Sequence, residues 1–292
     1  MQKALKYDRI EQKSERKKDM PQFKRWSFKT YKEHIKKNKG VFVVYILLRA
    51  LVIGAMVLSC IRGNYENLFY CSLALVLFLI PAFFEKNFDI DIPNILEGII
   101  LLFIFASVVL GEMGNYYTKI PMWDTILHTL NGFLCAAVGF GLVDILNRHE
   151  KVKFRLSPLF LALVAFCFSM TIGVLWEFFE FGMDVFFGKD MQKDMVVERI
   201  VSTYLSGSTK EPAVIDNIKT VSINGSELGA EGYLDIGLFD TMKDLIVNFI
   251  GAAVFSIIGF FYVKSRGKSR FAGHFIPKVA TESEENDSDD ET

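Results

Sequence analysis

The chain has 292 residues, of which 51% are hydrophobic and 14% aromatic, with a mean hydropathy of 0.28. Those totals leave a soluble domain open, but the arrangement excludes it. The apolar residues come in long blocks without the polar stripe that a surface helix must show. The net charge of −1 averages two opposite ends, residues 1–40 crowded with Lys and Arg and residues 282–292 almost wholly acidic.

Neither end carries enough apolar surface to fold, so both the arm (1–40) and the tail (265–292) are expected to be disordered. Beside a membrane span a basic arm marks the cytoplasmic face, and no nucleic-acid partner is expected. The first apolar run starts about 40 residues in, which does not fit a cleavable signal peptide.

A membrane-crossing helix takes roughly 20 apolar residues. Six segments qualify, at about 41–60, 68–84, 95–110, 126–146, 158–187 and 241–264. They predict an all-α bundle of about six transmembrane helices within residues 41–264. The loop between the fourth and fifth carries Arg148, Lys151, Lys153 and Arg155. Lys264, Arg266, Lys268 and Arg270 follow the sixth, whereas the loop between spans one and two has only Arg62 and the loop between three and four only Lys119. This asymmetry places both termini in the cytoplasm of a bacterial cell.

Residues 188–239 then form an extracytoplasmic insert. Residues 191–205 mix apolar and charged side chains at helical spacing and are expected to lie as a helix on the membrane surface. Asn224-Gly225, flanked by β-branched residues, predicts a tight β-hairpin. The cysteines (Cys60, Cys71, Cys135, Cys167) lack metal-type spacing and read as small membrane-buried residues, although Cys60 and Cys71 could meet near one hairpin end. Arg49 and Glu97 are isolated charges in spans one and three and could pair.

The chemistry concentrates at three places. Asp124, His128 and Asn131 are spaced i, i+4, i+7 at the start of span four. Glu177, Glu180 and Asp184 follow i, i+3, i+7 near the end of span five, and Asp240, Asp244 and Asn248 follow i, i+4, i+8 at the start of span six. Each set shares one helix face. With alternating spans, all three faces reach the same outer depth. Buried charges in a bilayer are costly enough to need a reason.

Carboxylates and an imidazole on facing helices suit a divalent metal, with His128, Glu177, Glu180 and Asp244 as candidate ligands. Asp124, His128, Glu177, Glu180, Asp240 and Asp244 are the candidate catalytic groups. Asn131, Asp184 and Asn248 are supporting residues, the two asparagines best explained as interhelical hydrogen-bond partners. Glu112 ends span three on the same side and could join them. Trp123 and Trp176 suit an interfacial aromatic belt.

Trp123-Asp124 with His128 and Gly132, Trp176-Glu177 with Glu180 and Asp184, Met191-Gln192, the stretch from Asp235 to Asp244, Asn248 and Gly251-Ala252 together resemble the YjdF-like family of bacterial inner-membrane proteins. Glu177-x-x-Glu180 and Asp244-x-x-x-Asn248-x-x-Gly251 are more distantly similar to VanZ-like membrane proteins, which have a glutamine where Glu180 stands. The resemblance implies a shared bundle and an envelope location, and no reaction.

Three functions fit. The first is a metal-dependent hydrolase or transferase embedded in the membrane, acting on a lipid or lipid-linked envelope substrate at the outer leaflet. The second is a structural or regulatory envelope protein in which the cluster joins helices. The third is a small proton-coupled transporter, disfavoured by a cluster at one end and by the lack of an inverted repeat. Membrane lipids are the expected partners.

Overall fold

The computed structural model describes residues 39–88, 90–148, 156–207, 210–265 and 269–279. Most of the basic arm, the loop 149–155 and the acidic end of the tail lie outside these. Contacts divide the chain into residues 1–42 and 43–292; the bundle is the second unit.

Helix α1 (Lys39–Arg62) is followed by α2 (Tyr65–Leu77), whose first turn is capped by Asn64 accepting from the Asn67 amide at 3.0 Å. A turn at Phe78-Leu79 separates α2 from α3 (Ile80–Phe88), and Pro81 falls in the first turn of α3, where its missing N–H costs nothing. Helix α4 (Asn94–Ile104) runs on into a π-helix over Phe105–Met113. Next come a single turn, α5 (Tyr116–Lys119), and then α6 (Trp123–Arg148). Helix α7 (Pro158–Phe187) is capped by Ser157 and stops at Gly188, which takes the left-handed conformation (φ 61°). The last long helix is Leu238–Lys264; a one-turn helix, α8 (Thr203–Ser206), precedes it in the chain, so it is α9.

Six helical segments are long and apolar enough to cross a membrane, as predicted. Spans four and six start one turn earlier than the apolar blocks do, at Trp123 and Leu238, and so Asp124 and Asp240 sit on the helices themselves. Apolar side chains such as Leu51, Leu163, Phe178, Ile246 and Ile257 face outward, as they should in hydrocarbon.

The core is the triangle of α6, α7 and α9. Hydrophobic burial does not drive helices together in lipid, so close backbone approach and polar contacts must. A Cβ on Gly132 of α6 would collide with the Asn248 carbonyl of α9, and one on Gly251 of α9 with the Thr129 carbonyl of α6. On α7, Ser169 donates to the Gly132 carbonyl at 2.7 Å. Asn131 donates to Asn248 at 3.0 Å, and Asn248 also lies against Gly173, so both asparagines join helices as expected. Below them Phe133, Phe140 and Phe255 stack edge to face.

At the end of the bundle away from Asp124, strand β1 (Ile90–Asp91) pairs antiparallel with Lys278–Val279. Residues 269–279 are therefore ordered, contrary to the expected disordered tail. A one-turn helix over Arg270–Gly273 leads to Phe275, Ile276 and Pro277, which pack into the core beside Gly141. Three apolar residues in a row gave that segment something to bury, despite its charged flanks.

The insert is built from short strands, not from the surface helix expected over residues 191–205. Strand β2 (Val196–Val197) pairs with Tyr233–Leu234, and β3 (Ile200–Ser202) pairs with Ala213–Ile215. Only α8 survives of that helix. The β-branched pairs Val196-Val197 and Ile200-Val201 favour extended backbone and override the helical spacing. The predicted hairpin is present, Ser222–Ile223 pairing with Ser226–Glu227 across Asn224 (φ 54°) and Gly225 (φ 83°). All four cysteines are free, and Cys71 contacts Met113. Arg49 lies over the Tyr45 ring at 4.1 Å, and among the described residues it makes no ion pair with Glu97.

The α6/α9 crossing tolerates no side chain. Gly251→Val should lower thermal stability in detergent by about 1–3 kcal/mol through overpacking, whereas Gly54→Ala, which faces open space, should leave it within about 0.5 kcal/mol.

Candidate functional site

Three helix termini converge at the insert end of the bundle. Helix α6 brings Asp124 and His128 on successive turns, α7 brings Glu177 and Glu180, and α9 brings Asp240, Lys243 and Asp244. His128, Glu177, Glu180, Asp240 and Asp244 are all buried, Asp244 to the point of 1% exposure.

His128 is the hub. Its Nε2 lies 3.3 Å from Asp124 Oδ1 and 3.7 Å from Asp244 Oδ2, while its Nδ1 lies 3.9 Å from Glu177 Oε1. A hydrogen bond from an imidazole to a carboxylate closes to about 2.7–3.2 Å. Ligands bound tetrahedrally to one metal at about 2.0–2.1 Å stand about 3.3 Å apart. Asp124, His128 and Asp244 can each offer a donor atom such that all lie within 4.8 Å of one another. This set fits a divalent ion by spacing and by chemistry, an imidazole with two carboxylates. Glu177 Oε1 lies on the side of the other ring nitrogen, at 3.9 Å beyond direct hydrogen-bond reach.

Two buried oxygens, Glu177 Oε2 and Asp244 Oδ1, have no hydrogen-bond partner among the described residues. The Gln192 side chain lies beside Glu177 but donates to Thr241 at 2.6 Å. Buried carboxylate oxygens left bare are costly, and a cation or an ordered water is the ordinary remedy.

Glu180 accepts from the Trp176 indole at 2.8 Å, which ties Trp176 to the cluster. Lys243 is the residue that motif inspection passed over. Its Nζ donates to Asp124 Oδ2 at 2.8 Å and to Asp240 Oδ1 at 3.2 Å, and lies 3.6 Å from Asp244 Oδ1. Its signal was its spacing, i+3 from Asp240 on the face that carries the acids. Glu112, delivered by the π-helix, lines the same cavity with Tyr117, Asp124, Glu180, Met191, Lys193, Asp240 and Asp244. That recess is open to solvent, and its enclosed part is about the size of one water.

Asp184 and the second oxygen of Asp240 do different work. Asp184 accepts from the backbone amides of Met191 (2.6 Å) and Gln192 (2.9 Å), and Asp240 Oδ2 accepts from the Lys193 amide at 2.8 Å. Asp235 accepts from Met195 (2.7 Å) and Phe239 (2.7 Å). Residues 191–195 thus form a strap pinned across the ends of α7 and α9 by three carboxylates. Just beyond Asp235, Ile236 takes φ 55°, a rare conformation for a β-branched residue, and Gly237 takes φ 96°.

A model of a family of predicted membrane proteins, DUF2238, matches residues 44–265. The chain belongs to the DUF2238 family of predicted membrane proteins. Every residue of the cluster lies within the matched region. An uncharacterized protein of Thermotoga maritima is 30% identical over 104 residues, which are 36% of this chain and 52% of that protein. The chain therefore spans about half the length of this curated relative. No solved structure matches.

The strap has a pH signature. Partial burial raises the Asp235 carboxyl, but the backbone amides of Phe239, Met195 and Gly237 outweigh it and hold the group below the usual carboxylate range. A group depressed in this way contributes stability above its unfolded value, about 3.9, and loses it as pH falls through the folded value. Limited proteolysis of the insert should stay slow down to about pH 4 and accelerate below it. In Asp235→Ala the insert should be cleaved readily even at neutral pH. Asp184→Ala bares two amides at about 1–3 kcal/mol each, and hydrogen exchange at Met191 and Gln192 should rise accordingly.

Proposed function

We propose that this protein is a membrane-embedded, metal-dependent hydrolase or transferase acting on a lipid or lipid-linked envelope substrate. The carrying observation is an imidazole and two carboxylates from two helices, His128 Nε2 lying 3.3 and 3.7 Å from Asp124 Oδ1 and Asp244 Oδ2, with donor atoms all within 4.8 Å of one another. In this reading Asp124, His128 and Asp244 hold the ion, and Glu177 steadies the imidazole through an intervening water. Glu180, which sequence alone also suggests as a ligand, lines the cavity beside them and accepts from Trp176.

A divalent ion held there would supply Lewis acidity toward a phosphoryl or carbonyl oxygen and toward water. The chain's own groups divide the remaining tasks. The bare Oε2 of Glu177 is free to accept a proton from water. Lys243 can hold an anionic oxygen of the headgroup. The strap closes the site from one side, and a headgroup would meet the cluster at the open mouth of the cavity.

The orientation with both termini in the cytoplasm rests on the basic loops, and it would turn the cluster toward the outer leaflet of a bacterial cytoplasmic membrane. The resemblance of the cluster motifs to YjdF-like proteins supports an envelope setting. A purely structural role is favoured at Asn131, Asn248 and Asp184, whose polar atoms already join helices or hold the strap.

The full chain purified in detergent should bind zinc or manganese, and His128→Ala or Asp244→Asn should abolish binding while folding normally. Glu177→Gln should weaken it about 10–100-fold. With metal, the wild type should release headgroups from lipid or lipid-linked phosphoesters, followed by mass spectrometry, and chelation should stop it. Rescue of a deletion strain's lipid profile by His128→Ala would refute the proposal.

A further inference from the structure

Asp124 and Asp244 each divide their two oxygens in the same way. Asp124 turns Oδ1 to His128 Nε2 and Oδ2 to Lys243 Nζ; Asp244 turns Oδ2 to the imidazole and Oδ1 to the ammonium. Two carboxylates bridging two centres of positive charge is the plan of a two-metal site, in which the ions sit about 3.5–4 Å apart. Here one of the two positions is filled by a side chain. Asp240 Oδ1, at 3.2 Å, completes a ring of three carboxylates around Nζ.

We infer that the Lys243 ammonium is the resident second cation of this centre, so that the site takes one divalent ion, on the His128 side, and no more. The inference rests on the metal reading above and adds its stoichiometry and the role of Lys243. An ammonium is a compact point charge with three donors, of which two go to Asp124 and Asp240 while its charge also faces Asp244. Its place in the ring explains why Asp244 Oδ1 is buried without a hydrogen bond yet not without a counter-charge. It also fits the neighbours: Asp240 is held in place by the Lys193 amide, and Glu112 and Glu180 line the cavity without any contact to Lys243 among the described ion pairs. With a fixed positive charge beside the ion, the centre presents two adjacent cations to an incoming headgroup. That is suited to an anionic phosphoryl group, whose oxygens can be shared between them.

Removing the ammonium should vacate a cation position without touching the ligands of the first. The full-length protein in detergent micelles would be dialysed to equilibrium against Zn²⁺ alone and, separately, Mn²⁺ alone, and bound metal counted per chain. Wild type and Lys243→Arg should bind one ion. Lys243→Ser, which leaves room, and Lys243→Gln, which keeps the bulk and adds an oxygen donor, should bind two. Either neutral variant suffices if the other does not fold. One ion in the folded neutral variants overturns the assignment, as do two ions in the wild type. A wild type that binds none removes the metal reading and this inference together, whereas one ion throughout removes this inference alone.

Discussion

Everything at the insert end of this protein is organised by the cost of burying carboxylates. Asp124 and Asp244 face each other where three helices meet, Asp244 fully buried and Asp124 largely so, and buried charge is costly unless it is paired. His128 and Lys243 stand on opposite sides of that pair and supply what water does not. Removing one member leaves its partners short of a counter-charge, which a bound ion can supply.

The packing beneath serves this arrangement. Gly132 and Gly251 let α6 and α9 touch backbone to backbone, and Asn131, Asn248 and Ser169 lock the crossing with hydrogen bonds. The crossing brings residues about one turn above it, Asp124, His128 and Asp244, within reach of each other across more than a hundred positions of sequence. Above the cluster, the strap uses the remaining acids. Asp184, Asp235 and the outer oxygen of Asp240 each satisfy backbone amides that irregular chain near a membrane cannot leave bare.

The six spans were legible because an unbroken apolar block of membrane length has almost no place in a water-soluble fold, and the convergence of three polar faces followed from their alternating direction. The contribution of Asn131 and Asn248 was legible too, since a neutral amide inside a bundle has little to do but join helices. Lys243 was not, because a lysine in the first turns of a span reads as an interfacial anchor until its three carboxylate neighbours are seen. The strap was hidden for another reason. Its bonds run from backbone amides to carboxylates 47 residues away, as from Lys193 to Asp240, and backbone amides carry no sequence signature. Residues 191–205 misled because helical spacing and β-branched content pointed in opposite directions. The π-helix over Phe105–Met113, which delivers Glu112, has the same apolar composition as an α-helix and left no trace.

The central claim is that Asp124, His128 and Asp244 share one divalent ion. X-ray absorption at the zinc edge of the purified, zinc-loaded chain tests it most directly. One imidazole nitrogen and carboxylate oxygens at about 2.0–2.1 Å, with the imidazole signal lost in His128→Gln, is the predicted result. A zinc shell of oxygen alone that is unchanged in His128→Gln, or no bound zinc at all, would contradict it.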